Sequence, residues 1–190
     1  MLWENFYLNN PSPWGVKPTH LVRDQISNLK SGTVLDIGGG DGKNTIYLSK
    51  NGFAVTLVDQ DLEAHKLCNE REQATGVQIN HICENAITWK TEKSWDNVLL
   101  LWVLHYLPHE TALELIVNVQ SMTPTGGVHL MASFTNEGGL EKEVPGNFYP
   151  EAGVISDIYK EWEVLDYRLR VGGTIRGNIQ QREYMSFRKR

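Results

Sequence analysis

Two acidic residues on either side of a glycine-rich run are the clearest chemical signal in this sequence. Asp36 is followed by Ile37 and then by Gly38-Gly39-Gly40-Asp41-Gly42, and Asp59 comes about 20 residues later. Glycines let a backbone turn tightly and approach a ligand closely. A carboxylate at this spacing accepts hydrogen bonds from ribose hydroxyls in nucleotide-binding folds. The pattern therefore predicts a site for a ligand that contains a nucleoside.

The same run does not fit the two common phosphate-binding motifs. A P-loop requires glycine where Ile37 stands and Ser or Thr where Asn44 stands. The dinucleotide motif G-x-G-x-x-G fits Gly38 and Gly40 but places its third glycine at Lys43. A carboxylate at the first strand end favours a ligand with positive charge and no phosphate. S-adenosylmethionine, with its sulfonium and ammonium groups, fits this description, and a glycine turn without any ligand is the alternative.

Strand and helix signals alternate around these residues. Apolar runs that lack polar alternation predict buried parallel strands at residues 34–37, 54–58, 77–82, 97–101 and 128–133. Helical patterns lie between them at residues 44–50, 62–73 and 109–122, and a further helix is predicted at 151–161. Residues 163–171 and 179–187 read as an antiparallel hairpin. The predicted fold is α/β, a doubly wound Rossmann-like sheet of seven strands, mostly parallel, with a C-terminal antiparallel hairpin.

The 190 residues correspond to one domain in three parts. Residues 1–32 form an irregular N-terminal lid segment followed by a helix, which begins after Thr19. Residues 33–133 form the cofactor-binding core, and residues 134–190 form the C-terminal helix and hairpin. This length leaves no room for a separate substrate-recognition domain, so we expect a small acceptor.

Composition excludes several other classes of protein. The net charge of −5 gives no basic footprint for nucleic acid, and no apolar run reaches the length of a membrane span. The two cysteines lack metal-ligand spacing, and Pro108 between His105 and His109 argues against a helical metal pair. Without a visible secretory signal, the expected location is cytoplasmic. We predict no metal, no membrane or nucleic-acid partner, and a monomer or weak homodimer.

The run from Val34 to Gly42 resembles the first motif, D-x-G-x-G-x-G, of class I S-adenosylmethionine-dependent methyltransferases. Most of residues 14–190 resemble the tellurite-resistance (TehB-like) family within that class. The resemblance includes the Thr19-His20 pair, with Trp14 six residues before the histidine. It also includes the segment Gly42-Lys43-Asn44-Thr45-Ile46-Tyr47-Leu48-Ser49, which is similar to a G-R-N-S-x-Y-L-A run.

The resemblance implies S-adenosylmethionine as the cofactor and assigns roles to residues. The cofactor-binding candidates are Asp36, Gly38, Gly40, Asn44, Asp59, Gln60, Asn85, Ala86, Leu101 and Trp102. The candidates for catalysis are His105, His20 and Arg176. The family commonly has a histidine in its last hairpin, and this chain has none there; Arg170 or Arg176 is then the candidate positive charge.

The implied activity is methyl transfer to a small acceptor, such as a thiol or a tellurium or selenium species. Two alternatives stay open. One is a small-molecule O- or N-methyltransferase in which His105 or His20 acts as a base, and the other is a module that binds S-adenosylmethionine without turnover.

Overall fold

The computed structural model describes residues 6–10, 12–174 and 177–190, and contains a seven-stranded sheet with strand order β3-β2-β1-β4-β5-β7-β6. The strands are β1 (Thr33–Ile37), β2 (Ala54–Asp59), β3 (Asn80–Cys83), β4 (Asn97–Leu101), β5 (Val128–Gly138), β6 (Glu163–Gly173) and β7 (Ile179–Arg188). Strands β1 to β5 pair in parallel, and β7 pairs antiparallel with both β5 and β6. The predicted fold class is confirmed.

The helices connect these strands on both faces of the sheet. They are α1 (Phe6–Asn9), α2 (His20–Gln25), α3 (Lys43–Lys50), α4 (Leu62–Thr75), α5 (His109–Met122), α6 (Leu140–Glu143) and α7 (Val154–Ile158). Helix α4 begins where it does because the Asp61 carboxylate accepts hydrogen bonds from the amides of Glu63 and Ala64. None of the helices in the described ranges is long and apolar enough to cross a membrane.

Several element boundaries differ from the sequence prediction, among them the end of β5, which extends to Gly138. The helix predicted at 151–161 is shorter, because Gly153 precedes it with a φ of 95° and it ends at Ile158. Strand β3 begins at Asn80 rather than at Val77, and the short helix α6 was not predicted. Tertiary packing sets these ends, since local preference alone is weak over so few residues.

Apolar side chains form a layer on each face of the sheet. Val98 and Leu100 of β4 pack on the face covered by α5 and α7, whereas Leu99 and Leu101 pack on the face covered by α2 and α3. All five residues of β4 are buried. This two-sided burial explains why the strand is a continuous apolar run without polar alternation.

The strand order reverses between β1 and β4, which pair in parallel with Ile37 opposite Leu100. The chain leaves β1 toward α3 and leaves β4 toward α5, so the two connections diverge to opposite faces of the sheet. In open α/β sheets such a point leaves a crevice outside the carboxyl ends of the strands, where ligands bind. The predicted glycine turn lies at this crevice.

Candidate functional site

The glycine turn after β1 requires backbone conformations that favour glycine. Gly38, Gly40 and Gly42 have φ values of 68°, 56° and 75°. A Cβ at Gly38 would lie 2.8 Å from a methyl carbon of Val103, and a Cβ at Gly40 would collide with the hydroxyl of Tyr7. Side chains at these positions would therefore be strained and would clash with Val103 and Tyr7.

Asp59, the last residue of β2, is fixed against this turn. Its Oδ2 accepts a hydrogen bond from the Gly40 amide at 2.9 Å, and its Oδ1 accepts one from the Asp61 amide at 3.0 Å. Burial raises the pKa of the Asp59 carboxyl, and the two backbone hydrogen bonds oppose that shift. A carboxylate has about four acceptor positions, so both oxygens can still accept from ligand hydroxyls.

Asp36 lies beneath the turn rather than at its surface. The residue is 1% exposed, and its Oδ2 accepts a hydrogen bond from the Thr45 hydroxyl at 2.7 Å. Burial raises the pKa of Asp36 to about 6, partly offset by the bond from Thr45. Asp36 thus joins β1 to α3 under the glycines. A direct contact between Asp36 and a cofactor stays a prediction.

Gln60 and Asn85 meet next to Asp59. The Asn85 amide nitrogen donates to Gln60 Oε1 at 2.9 Å, and Asn85 Oδ1 accepts from the Ile87 amide at 2.9 Å. Ala86 packs against the apolar layer that includes Val58. The structure therefore brings these three predicted residues to the edge of the crevice at the end of β2. Their contact with an adenine ring stays a prediction.

The N-terminal segment lies over the same turn. Asn44 Oδ1 accepts a hydrogen bond from the Thr19 amide at 2.8 Å, so Asn44 holds this segment. Arg71 of α4 donates to Asp41 at 2.7 Å and to the Ser12 hydroxyl at 3.1 Å. A cofactor contact by Asn44 stays a prediction, but its bond to Thr19 agrees with a lid formed by this segment.

Tyr7 is a residue at the turn that the sequence analysis did not select. It is 8% exposed, and its hydroxyl lies over Gly40. Burial raises the pKa of the Tyr7 hydroxyl well above its usual value, and the nearby Asp59 adds to this shift. The available signal was the aromatic pair Phe6-Tyr7 in the predicted lid segment, although nothing in the sequence places it above a particular glycine.

Five rings form a continuous row at the carboxyl ends of β4 and β5, which we call the aromatic row. Its members are His20, Tyr184, Trp102, Phe134 and His105, and successive ring centroids are 4.4, 5.4, 5.1 and 4.7 Å apart. Three of the five were predicted from the sequence. Tyr184 and Phe134, which join them, were not.

Trp102 has an unusual backbone at the centre of this row. Its φ is 62°, and no other described non-glycine residue has a positive φ. Its amide donates to the Ala132 carbonyl at 2.9 Å, and its ring contacts both Phe134 and Tyr184. Such a conformation costs on the order of 1–3 kcal/mol, and strain of this kind is concentrated at functional sites. Leu101 is buried in the apolar layer, and Trp102 packs against the same layer. A cofactor contact by either residue stays a prediction.

Arginines lie beside the aromatic row. The Arg182 guanidinium is 5.8 Å from the centroid of Phe134 and donates to the Gly173 carbonyl, while its Nε is buried without a hydrogen-bond partner in the part of the chain described. Arg170 is opposite Arg182 in the β6–β7 pairing.

Burial lowers the pKa of His20, with Asp24 opposing and Arg168 adding to the shift. The predicted Arg176 lies outside the described residues.

The sheet order and the glycine turn at its switch point define a class I methyltransferase fold. The chain belongs to the family described as "Tellurite resistance protein TehB", whose model matches residues 4–187.

Individual relatives agree with this assignment. A curated protein of Haemophilus influenzae, strain 10810, named "Probable S-adenosyl-L-methionine-dependent methyltransferase TehB", is 27% identical over 139 residues, which is 73% of this chain and 49% of that protein. The crystal structure of TehB from Haemophilus influenzae has a TM-score of 0.81 at 24% identity and covers 90% of this chain and 62% of its own. The chain spans about half the length of the curated TehB relatives it matches.

The fold also extends to a more distant enzyme. The N-methyltransferase NodS from Bradyrhizobium japonicum, solved in complex with S-adenosyl-l-homocysteine, has a TM-score of 0.68 at 18% identity and covers 90% of this chain and 84% of its own. At this identity the similarity establishes the fold alone.

Proposed function

We propose that this chain uses S-adenosylmethionine to methylate a small acceptor. The observation that carries the proposal is the Asp59 carboxylate, held by the Gly40 amide at the switch point of the sheet and directly beside the glycine turn. Membership of the TehB family and the names of its relatives support the same cofactor. A cytoplasmic location and a monomeric or weakly dimeric state stay predictions from the sequence.

The residues at the crevice fit this cofactor. Asp59 has acceptor positions for the two ribose hydroxyls, and the Gln60–Asn85 pair offers donors and acceptors to a base edge. The buried carboxylates of Asp36 and Asp59 favour cationic groups over phosphate. The nearby ammonium group of Lys43 is directed to the Trp14 carbonyl at 3.5 Å. Val103 and Tyr7 pack directly over Gly38 and Gly40, so the absence of side chains at these glycines lets the N-terminal segment and the end of β4 close onto the turn.

When bound, S-adenosylmethionine supplies an electrophilic methyl group on its sulfonium. The protein's residues contribute mainly alignment and the exclusion of water. Tyr7 and the N-terminal segment cover the turn, and Trp102 of the aromatic row forms an apolar wall at the neighbouring strand end. Holding two reactants in line lowers the entropic part of the barrier. A soft lone pair on sulfur, selenium or tellurium requires no proton removal, so alignment is sufficient for such an acceptor.

A second acceptor class is favoured by His20. Burial lowers the pKa of this imidazole, and the ring contacts Tyr184 in the aromatic row. An imidazole that is neutral at neutral pH can accept a proton from a hydroxyl or an ammonium group. His20 would then be the base in an O- or N-methyltransferase.

An assay of S-adenosylmethionine consumption against tellurite, selenite, small thiols, amines and phenols tests the proposal. We expect turnover with a soft acceptor, with a rate that does not follow a histidine titration. A rate that rises as a histidine loses its proton, and that is absent in His20→Leu, would instead assign the second class. Stoichiometric binding without turnover on the whole panel would exclude both enzyme functions.

Arg182 gives a prediction about acceptor charge. We expect Arg182→Gln to raise KM for anionic acceptors about 10-fold with a smaller change in kcat, because a charged hydrogen bond contributes about 1.5–3 kcal/mol. Neutral acceptors should be unaffected. The matched control is Arg188→Gln at the far end of the same strand, where the arginine pairs with Glu163. Equal KM values for anionic acceptors in wild type and Arg182→Gln would exclude a hydrogen bond between Arg182 and the acceptor.

A further inference from the structure

Two histidines behind the cofactor crevice connect Glu72 to Asp59 through three consecutive hydrogen bonds. His81 Nε2 lies 2.6 Å from Glu72 Oε2, His81 Nδ1 lies 2.8 Å from His65 Nδ1, and His65 Nε2 lies 2.9 Å from the carbonyl oxygen of Asp59. His65 and Glu72 belong to α4, and His81 belongs to β3. The chain of bonds therefore joins three elements at the point where β2 ends.

The partners at the two ends determine how many protons this chain of bonds contains. The Asp59 carbonyl can only accept, so His65 Nε2 carries a proton. One proton is required between the two Nδ1 atoms. Glu72 already accepts from the Ile79 amide through Oε1, and its Oε2 faces His81 Nε2. An ionised carboxylate can only accept, so the proton between them is carried by His81. Three protons on four ring nitrogens give the pair one positive charge, which Glu72 balances.

We propose that the His65–His81 pair is a positioning device for Asp59, which holds its carbonyl while its carboxylate binds the cofactor. This inference rests on the proposed function. Loss of His65 would leave the Asp59 carbonyl without its imidazole donor. The positive charge of the pair also lies next to Asp59, and His65 is one of the groups that lowers the pKa of the Asp59 carboxyl. Cofactor affinity is thereby linked to hydrogen bonds outside the crevice.

The geometry is that of hydrogen bonds and not of a metal site. The Cys68 sulfur also lies close, and the ligand atoms of Cys68, Glu72 and His81 are all within 4.8 Å of one another. Two ligands on one zinc ion, with bonds of 2.0–2.1 Å at tetrahedral angles, are separated by about 3.3 Å. The 2.6 Å between His81 and Glu72 is too short for that arrangement. Both oxygens of Glu72 are moreover engaged in hydrogen bonds.

Other titratable or charged groups stand on the same three elements. They are Asp59 and Asp61 at the end of β2, Cys68, Arg71 and Glu72 on α4, and Cys83 on β3. Arg71 is paired with Asp41 at 2.7 Å. Burial raises the pKa of Cys68 to about 12, so this thiol is neutral at neutral pH. A variant of His65 tests the pair independently of these neighbouring groups, because they are unchanged in that variant.

The test measures S-adenosylmethionine affinity by calorimetry at pH 7. We expect His65→Leu to bind about 10-fold more weakly than wild type and His65→Gln to recover most of that loss. The glutamine amide can still donate to the Asp59 carbonyl, which a leucine cannot do. The matched control is His109→Leu, an exposed histidine of α5, which should retain wild-type affinity.

A second measurement uses only the wild-type protein, so it does not depend on the folding of a variant. Long-range ¹H–¹⁵N correlation spectra of wild-type imidazoles at pH 6 should show three protons on the four nitrogens of His65 and His81. Two protons, or one bound equivalent of zinc in the purified protein, would overturn the inference. If wild type binds S-adenosylmethionine and His65→Leu matches its affinity, this inference fails alone. If wild type does not bind, the proposed function fails.

Discussion

Replacing Asp59 by alanine is expected to weaken S-adenosylmethionine binding at least about 100-fold. Hydrogen bonds to a charged group contribute about 1.5–3 kcal/mol each, and Asp59 has acceptor positions for two ribose hydroxyls. The alanine also leaves the Gly40 amide without its partner, so the turn itself loses a restraint. Isothermal titration calorimetry measures the change directly.

Two further variants make this result specific. Asp59→Asn retains the shape and one acceptor oxygen, so it should fall between wild type and alanine. Asp157→Ala removes the same charge from an exposed position of α7 and should bind as wild type does. Wild-type affinity in Asp59→Ala would remove the basis of the cofactor assignment.

Acidification from pH 7 to 4.5 is expected to destabilise the protein by about 3 kcal/mol through His129 alone, since each unit of pKa shift corresponds to about 1.36 kcal/mol. Burial lowers the pKa of this fully buried histidine to about 3, and Lys189 adds to the shift. The Thr123 hydroxyl donates to the Val119 carbonyl, so it accepts from His129 Nε2, and Nδ1 is left to accept from the Tyr159 hydroxyl. The bond from Tyr159 requires the neutral ring, because a protonated Nδ1 cannot accept a hydrogen bond.

The sign follows from the direction of the shift. The folded pKa lies below the unfolded value of about 6.5, so the unfolded state binds more protons between pH 6.5 and 3, and stability falls as the pH falls through that window. Asp36 acts in the opposite direction, because its folded pKa of about 6 lies above its unfolded value and it takes up a proton in the folded state. Asp36 therefore offsets part of the effect of His129 on acidification.

Urea unfolding of wild type and His129→Leu at pH 7 and 4.5 isolates the contribution of His129. The variant should be less stable at pH 7, because Tyr159 loses its buried acceptor at a cost of about 1–3 kcal/mol. On acidification from pH 7 to 4.5, its free energy of unfolding should fall by about 3 kcal/mol less than that of wild type. The control is His109→Leu at an exposed position, which should show the same pH dependence of stability as wild type. An unchanged pH dependence in His129→Leu would contradict the prediction.

Much of the fold could be predicted because its signals are local. The β4 run is apolar at every position since both faces are covered, and this pattern survives in the sequence alone. The glycine turn requires positive φ at Gly38, Gly40 and Gly42, and glycine is the residue that adopts it without cost. The spacing from this turn to Asp59 reflects one strand–helix–strand unit of ordinary length.

The acceptor side of the site could not be predicted in the same way. Phe134 and Tyr184 are 50 residues apart in the sequence, and both contact Trp102 because β5 and β7 pair with Ala132 opposite Tyr184 and Phe134 opposite Arg182. A shift of this register by one residue would turn each of these side chains to the other face of the sheet. No local pattern in either strand specifies that register.

The sequence by itself determined the class of fold, the glycine turn and the acid at the end of β2, because each of these depends on the conformational preferences of neighbouring residues. Only the tertiary structure decided which side chains surround them. It placed Tyr7 over Gly40, directed Asn44 to the Thr19 amide, and linked Asp59 to Glu72 through two histidines. These contacts join distant segments, and the packing of helices and strands determines their distances.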